Sequence, residues 1–131
     1  MTKYLGLETL VLDLIPFDIE EIKDLLIEVC KVHRASLTHL SIARNKISAE
    51  FLRGLCEQIA EGNNITFVDM IHMKDNKNMK WEEALRSISL LSTVSRKTIT
   101  VKYAEYQAHN ETKAIHAYLE KEMPLLDLNV E

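Results

Sequence analysis

The feature that most constrains this chain is a spacing of apolar residues that returns along its length. In the stretch LTHLSIARNKI, residues 37–47, Leu37, Leu40, Ile42 and Ile47 stand at offsets zero, three, five and ten, with Asn45 at offset eight. Neither a 3.6-residue helix stripe nor a strand alternation alone produces that set. Leu7, Leu10 and Leu12 repeat it with Phe17 at offset ten, and Ile65, Val68 and Met70 repeat it with Asp75 in that place. Further on, Ile99, Val101 and Tyr106 fit a copy that starts at Arg96, and Leu125, Leu128 and Val130 open a fifth. The starts at 7, 37, 65, 96 and 125 recur about every 29 residues, a period that marks a solenoid in which each unit packs on its neighbours.

Each copy has a helical second half. Asp18 and Glu21 form a D-x-x-E capping signal, and Ile22, Leu25, Leu26 and Val29 follow as one helical face. Ser48 is an N-cap for a stripe of Phe51, Leu52, Leu55 and Ile59, and Gly62 stops that helix. Asn78 precedes Trp81, Leu85, Ile88 and Leu91, while Asn110 precedes Ile115, Tyr118 and Leu119, with Pro124 beyond. The unit is therefore strand then helix, and the fold class is α/β.

The strands decide how these units stack. Strands covered on both faces read as near-continuous apolar runs. Here Thr66 and Asp69 interrupt ITFVDM, His39 and Ser41 interleave with Leu40 and Ile42, and Lys97, Thr98, Thr100 and Lys102 interrupt RKTITVKY. One sheet face is packed and the other meets solvent, so all helices are expected on one side, curving the sheet with its bare face inside.

L-x-x-L-x-I-x-x-N-x-I at 37–47 resembles the leucine-rich repeat consensus, and a period near 29 with a full helix per unit is similar to the ribonuclease-inhibitor type. The resemblance spans about residues 7–130, so one domain of about four βα repeats is expected over 1–131. Only Asn45 matches the family's turn asparagine, since Ile15, Met73 and Ala104 occupy the equivalent places. The resemblance implies a protein-recognition module whose concave sheet covers a folded partner, and inhibition of an enzyme is one such use. Small proteins of this kind also occur among effectors that intracellular bacteria deliver into host cells.

Counting outward from the core positions places Thr9, Val11, Asp13, His39, Ser41, Ala43, Phe67, Asp69, Ile71, Thr98, Thr100 and Lys102 on the bare face. Leu14, Arg44, His72 and Tyr103 fall on its rim. Large apolar groups on a solvent face call for a partner to cover them, which singles out Phe67 and Ile71. Aromatic residues and arginine dominate binding hot spots, which adds Tyr103 and Arg44. The expected partner-binding set is Phe67, Asp69, Ile71, His72, His39, Ser41, Arg44, Thr100, Lys102 and Tyr103.

The rival reading is a small enzyme or metal-binding protein built on a Cys/His site. Cys56 lies on an apolar helix face and reads as a structural thiol, while Cys30 at a helix end reads as partly exposed. His39, His72 and Asp69 share the sheet face, but their spacing matches no metal motif. With three glycines, the chain has no phosphate-binding loop, and it contains neither H-E-x-x-H nor G-x-S-x-G. No catalytic residue and no cofactor are expected.

Composition narrows the partners further. A net charge of −4 disfavours nucleic acid. The apolar stretch 5–15 carries Glu8 and Asp13, too charged for a membrane span or signal peptide. Two cysteines in helical stretches suit a reducing, cytoplasmic setting. KDNKNMK at 74–80 reads as a solvated loop, and Tyr4 and Leu5 read as a cover for the first repeat. The chain is expected to be monomeric, with a homodimer as the alternative if an end of the stack is left apolar.

Overall fold

The computed structural model describes residues 6–13, 19–43, 45, 47–70, 81–103 and 112–130. Five strands form one parallel sheet: β1 (Thr9–Val11), β2 (His39–Ser41), β3 (Phe67–Asp69), β4 (Ile99–Tyr103) and β5 (Leu126–Val130). Four α-helices alternate with them: α1 (Lys23–Val32, after a 3-10 turn at Ile19–Ile22), α2 (Ala49–Ile59), α3 (Trp81–Ser95) and α4 (Thr112–Glu122). Among the described residues no helix is long and apolar enough to cross a membrane.

The strand order β1-β2-β3-β4-β5 follows the sequence without reversal. Crossovers between parallel strands are right-handed almost without exception, so an unreversed order directs successive helices to the same side. Burial agrees. Leu40, Val68, Ile99, Val101, Tyr103, Leu126 and Leu128 point into the core, whereas Thr9, Val11, His39 and Asp127 on the other face are exposed. Backbone bonds extend the ladder past the three-residue strands, with Leu12 N donating to Ser41 O, Ile42 N to Asp69 O and Met70 N to Lys102 O.

The register corrects the fourth copy of the apolar pattern. Leu10 pairs with Leu40, Leu40 with Val68, Val68 with Val101, and Val101 with Leu128. Val101 therefore stands where Ile99 was expected, and that copy starts at 98 rather than 96. A shift of two keeps every side chain on its own face. It does move Tyr103 into the place held by Ile42 and Met70, and Tyr103 has no exposed surface.

Two further expectations change. Leu25 is 63% exposed, and the inner face of α1 is Leu26 and Cys30, preceded by Ile19 from the 3-10 turn. Consecutive residues on a helix lie about 100° apart, and with Leu26 and Cys30 turned inward one turn apart, Leu25 falls outside the narrow inner face of α1. The helix begins at Ile22 without a side-chain cap, and Asp18 lies outside the described residues. Cys30, expected to be partly exposed, is 3% exposed because it follows Leu26 by one turn on that inner face.

The second helix forms as its sequence indicates. Ser48 Oγ accepts from Phe51 N at 3.1 Å, satisfying one orphan N–H of the first turn. Phe51, Leu52, Leu55, Cys56 and Ile59 are all buried. The chain leaves α2 through Gly62 at φ +74°, a left-handed conformation without steric cost only for glycine. Ser48→Ala is expected to lower stability by about 1 kcal/mol, measured by urea unfolding. No measurable change would mean the Ser48 cap contributes nothing to stability.

Asn45 is buried, and its Nδ2 donates to the carbonyls of Leu12, Ile42 and Ala43. One amide thus ties its own turn to the end of the preceding strand. The positions of Ile15, Met73, Ala104, Tyr106, Phe17, Asn78 and Asn110, and the loop 74–80, lie outside the described residues.

Candidate functional site: the uncovered sheet face

Parallel pairing aligns the outward side chains of the five strands into two rows. One row runs Thr9, His39, Phe67, Thr100 and Asp127; the other runs Val11, Ser41, Asp69, Lys102 and Asn129. Neighbours within a row are separated by the interstrand spacing of about 4.8 Å, and the rows by two residues along each strand. The result is a grid of side chains whose backbone positions are fixed by the ladder rather than by loops.

The centre of the grid is aromatic. His39 and Phe67 are register partners, with ring centroids 5.4 Å apart and planes inclined by 33°. His39 is exposed and Phe67 half-buried. Thr38 Oγ1 lies 2.8 Å from His39 Nδ1, which restrains the imidazole against rotation. Tilted aromatic pairs of this kind contribute about 0.5–1.5 kcal/mol beyond the area they bury. Phe67 thus stays on the open face and leans on His39 rather than joining the core.

The second row is polar. Asp69 and Lys102 face each other across β3 and β4, an arrangement that favours opposite charges. Ser41 contributes little surface, being 9% exposed, and its hydroxyl donates to Asp13 Oδ1 at 2.5 Å. The same carboxylate oxygen accepts from Ala43 N at 3.0 Å, so Asp13 closes the turn after β2. Ala43, placed on the bare face by alternation, is 2% exposed.

Of the ten residues expected to bind a partner, the structure brings His39, Phe67, Asp69, Thr100 and Lys102 together on one face. Ser41 sits among them with its hydroxyl engaged, and Tyr103 is removed to the core by the register shift. Arg44, Ile71 and His72, together with Leu14, lie outside the described residues. Asp127 and Asn129, both exposed, extend the two rows and were not among the expected set. Their signal was the alternation in LDLNV after the fifth start at Leu125.

The opposite side carries a groove of about 530 Å³ between α2 and α3, lined by Glu50, Arg53, Glu57, Glu83 and Arg86 among others. Arg86 Nη2 donates to Tyr118 Oη at 2.7 Å, linking α3 to α4. Both cysteines are free and buried. Burial pushes the Cys30 thiol up to about 11 and the Cys56 thiol higher still. Near neutral pH they are thiols and therefore weak nucleophiles. Among the described residues no three His, Cys, Asp or Glu side chains gather into a metal site. Comparison with protein-family models, curated proteins and solved structures finds no match for the chain.

Proposed function

We propose that the chain is a small solenoid of the leucine-rich-repeat kind that binds a folded protein through its uncovered sheet face, and that covering an enzyme's active site is one outcome of such binding. The observation that carries this reading is the pair of side-chain rows across five strands, with the His39–Phe67 rings at their centre. A grid held by the ladder meets a partner without first ordering loops, which lowers the entropic cost of association. Its mixed charges, Asp69 and Asp127 against Lys102, suit a specific protein surface better than a polyanion. A central aromatic flanked by polar groups is the usual arrangement of a binding hot spot.

The test starts with a pull-down from the source cells and identification of the captured protein, followed by titration of that protein against variants. Phe67→Ala is expected to weaken binding by about 2 kcal/mol, roughly thirtyfold, with an unchanged circular dichroism spectrum. Glu57→Ala, in the groove on the helix side, is expected to change the affinity by less than about twofold. Loss of binding with Glu57→Ala but not with Phe67→Ala would move the interface to the helices and overturn the proposal.

A further inference from the structure

We propose that the turns leading into β2, β3 and β4 form a second contact surface, independent of the sheet face, on which Arg34, Arg96 and Lys97 receive an acidic segment of a partner protein.

Parallel pairing brings these turns side by side at the end of the sheet where the strands begin. Residues 33–38, 60–66 and 96–98 make the turns, and their charged side chains are Arg34, Arg96, Lys97 and Glu61, with His33 as the remaining titratable group. The surface is basic although the chain carries a net charge of −4. All three cations are exposed. Glu61 is exposed as well, and among the described residues it forms no ion pair with any of them.

Hydrogen bonds tie the turns together. Asn64 Nδ2 donates to the Arg34 carbonyl at 2.9 Å, and Lys97 Nζ donates to Asn64 Oδ1 at 2.7 Å. Asn64 precedes Phe67 by three residues and Lys97 precedes its partner Thr100 by three, so the lysine reaches the matching place on the neighbouring turn. Arg34 lies across the turn between α2 and β3, since a β-carbon at Gly62 would stand 3.4 Å from its Cδ and 3.6 Å from its Nε. Its guanidinium, like that of Arg96, has no hydrogen-bond or ion-pair partner among the described residues. The donors of both are left for a ligand, and the planar fork of arginine matches a carboxylate.

Arg96 also carries a backbone cost. Its φ is +57°, and among the described residues no other non-glycine residue stands in the left-handed region. Glycine avoids that cost. A cation past a helix end complements the dipole of α3, yet Lys97 beside it supplies one without strain. Strained residues of this kind cluster at ligand contacts.

Spacing selects the ligand. Arg34 stands before β2 and Lys97 before β4, two interstrand steps apart, or about 10 Å. One phosphate cannot touch both. An extended peptide rises about 3.3 Å per residue and reaches across with carboxylates about two to four residues apart. Nucleic acid draws its affinity from many more phosphate contacts than three cations provide. An acidic peptide is the ligand that this surface fits.

The test is a titration of the isotope-labelled 131-residue chain with a synthetic peptide of alternating aspartate and serine, followed by NMR. Exposed ion pairs are weak, so a dissociation constant in the millimolar range is expected. Shifts should centre on Arg34, Asn64, Arg96 and Lys97 and fade as salt rises from about 0.05 to about 0.5 M. Arg34→Gln combined with Lys97→Gln is expected to weaken binding about fivefold, whereas Lys113→Gln on α4 should leave it unchanged. Arg96→Gly is expected to weaken binding about twofold while raising Tm by a few degrees, because it removes the left-handed strain. Circular dichroism confirms that each variant folds. Shifts spread evenly over the surface, an equal response to inorganic phosphate or to the asparagine version of the peptide, a loss with Lys113→Gln, or a lower Tm with Arg96→Gly would each overturn the proposal.

Discussion

Tyr103→Ala is expected to lower the stability of the fold by about 3–5 kcal/mol, the range for truncating a large buried aromatic. Tyr103 is fully buried at the end of β4, in the inward place that Ile42 and Met70 occupy just past β2 and β3. Among the described residues no buried side-chain nitrogen or oxygen lacks a hydrogen-bond partner, and the Tyr103 hydroxyl is among the satisfied groups. Removing the ring therefore opens a cavity and abandons a polar partner together. Tyr103→Phe keeps the ring volume and should cost only about 1 kcal/mol. Urea unfolding followed by circular dichroism separates the two. If Tyr103→Ala cost less than about half a kcal/mol, the scale of a surface change, Tyr103 would belong on the rim after all.

That residue also shows where the sequence was readable and where it was not. The strands at 39–41 and 67–69 were legible because a sheet bare on one face imposes alternation, and His39, Ser41, Phe67 and Asp69 keep it. The fourth strand alternates just as cleanly. Ile99, Val101 and Tyr103 all point inward over five residues, so a start at 96 and a start at 98 fit equally well. What distinguishes them is the pairing of Val101 with Val68 on one side and Leu128 on the other, contacts between segments far apart in the chain. In α1 the adjacent Leu25 and Leu26 were both read onto the inner face, whereas the buried residues are Ile19 of the 3-10 turn and then Leu26 and Cys30.

The candidate site divides in the same way. Which residues share the open face follows from a period of two and needs no tertiary information. How they touch does not. The stacking of His39 on Phe67 and the capture of Ser41 Oγ and Ala43 N by Asp13 depend on strand spacing and turn geometry. They convert a row of twelve outward places into a smaller aromatic and charged centre, because satisfied or buried groups such as Ser41 and Ala43 have little left to offer a partner. Asn45 is the contrasting case, since its family resemblance pointed to a turn hydrogen bond and its amide nitrogen donates to the carbonyls of Leu12, Ile42 and Ala43.

Leu40→Ala is expected to cost about 2–5 kcal/mol, as buried leucine truncations do. Leu40 is 2% exposed on β2, with Leu10 on one flank and Val68 on the other, both held by the ladder. Strands fixed on both sides leave the cavity little freedom to collapse, which pushes the cost toward the upper part of that range. Total stability for a domain of this size is about 5–15 kcal/mol, so the loss takes a large share of it. His39→Ala, one residue earlier but on the open face, should cost far less, about the 0.5–1.5 kcal/mol of its ring contact. Thermal unfolding of the two variants side by side reads the difference directly. Comparable losses at positions 39 and 40 would mean that the two sheet faces are equally covered, and the packed and open sides assigned to this sheet could not both stand.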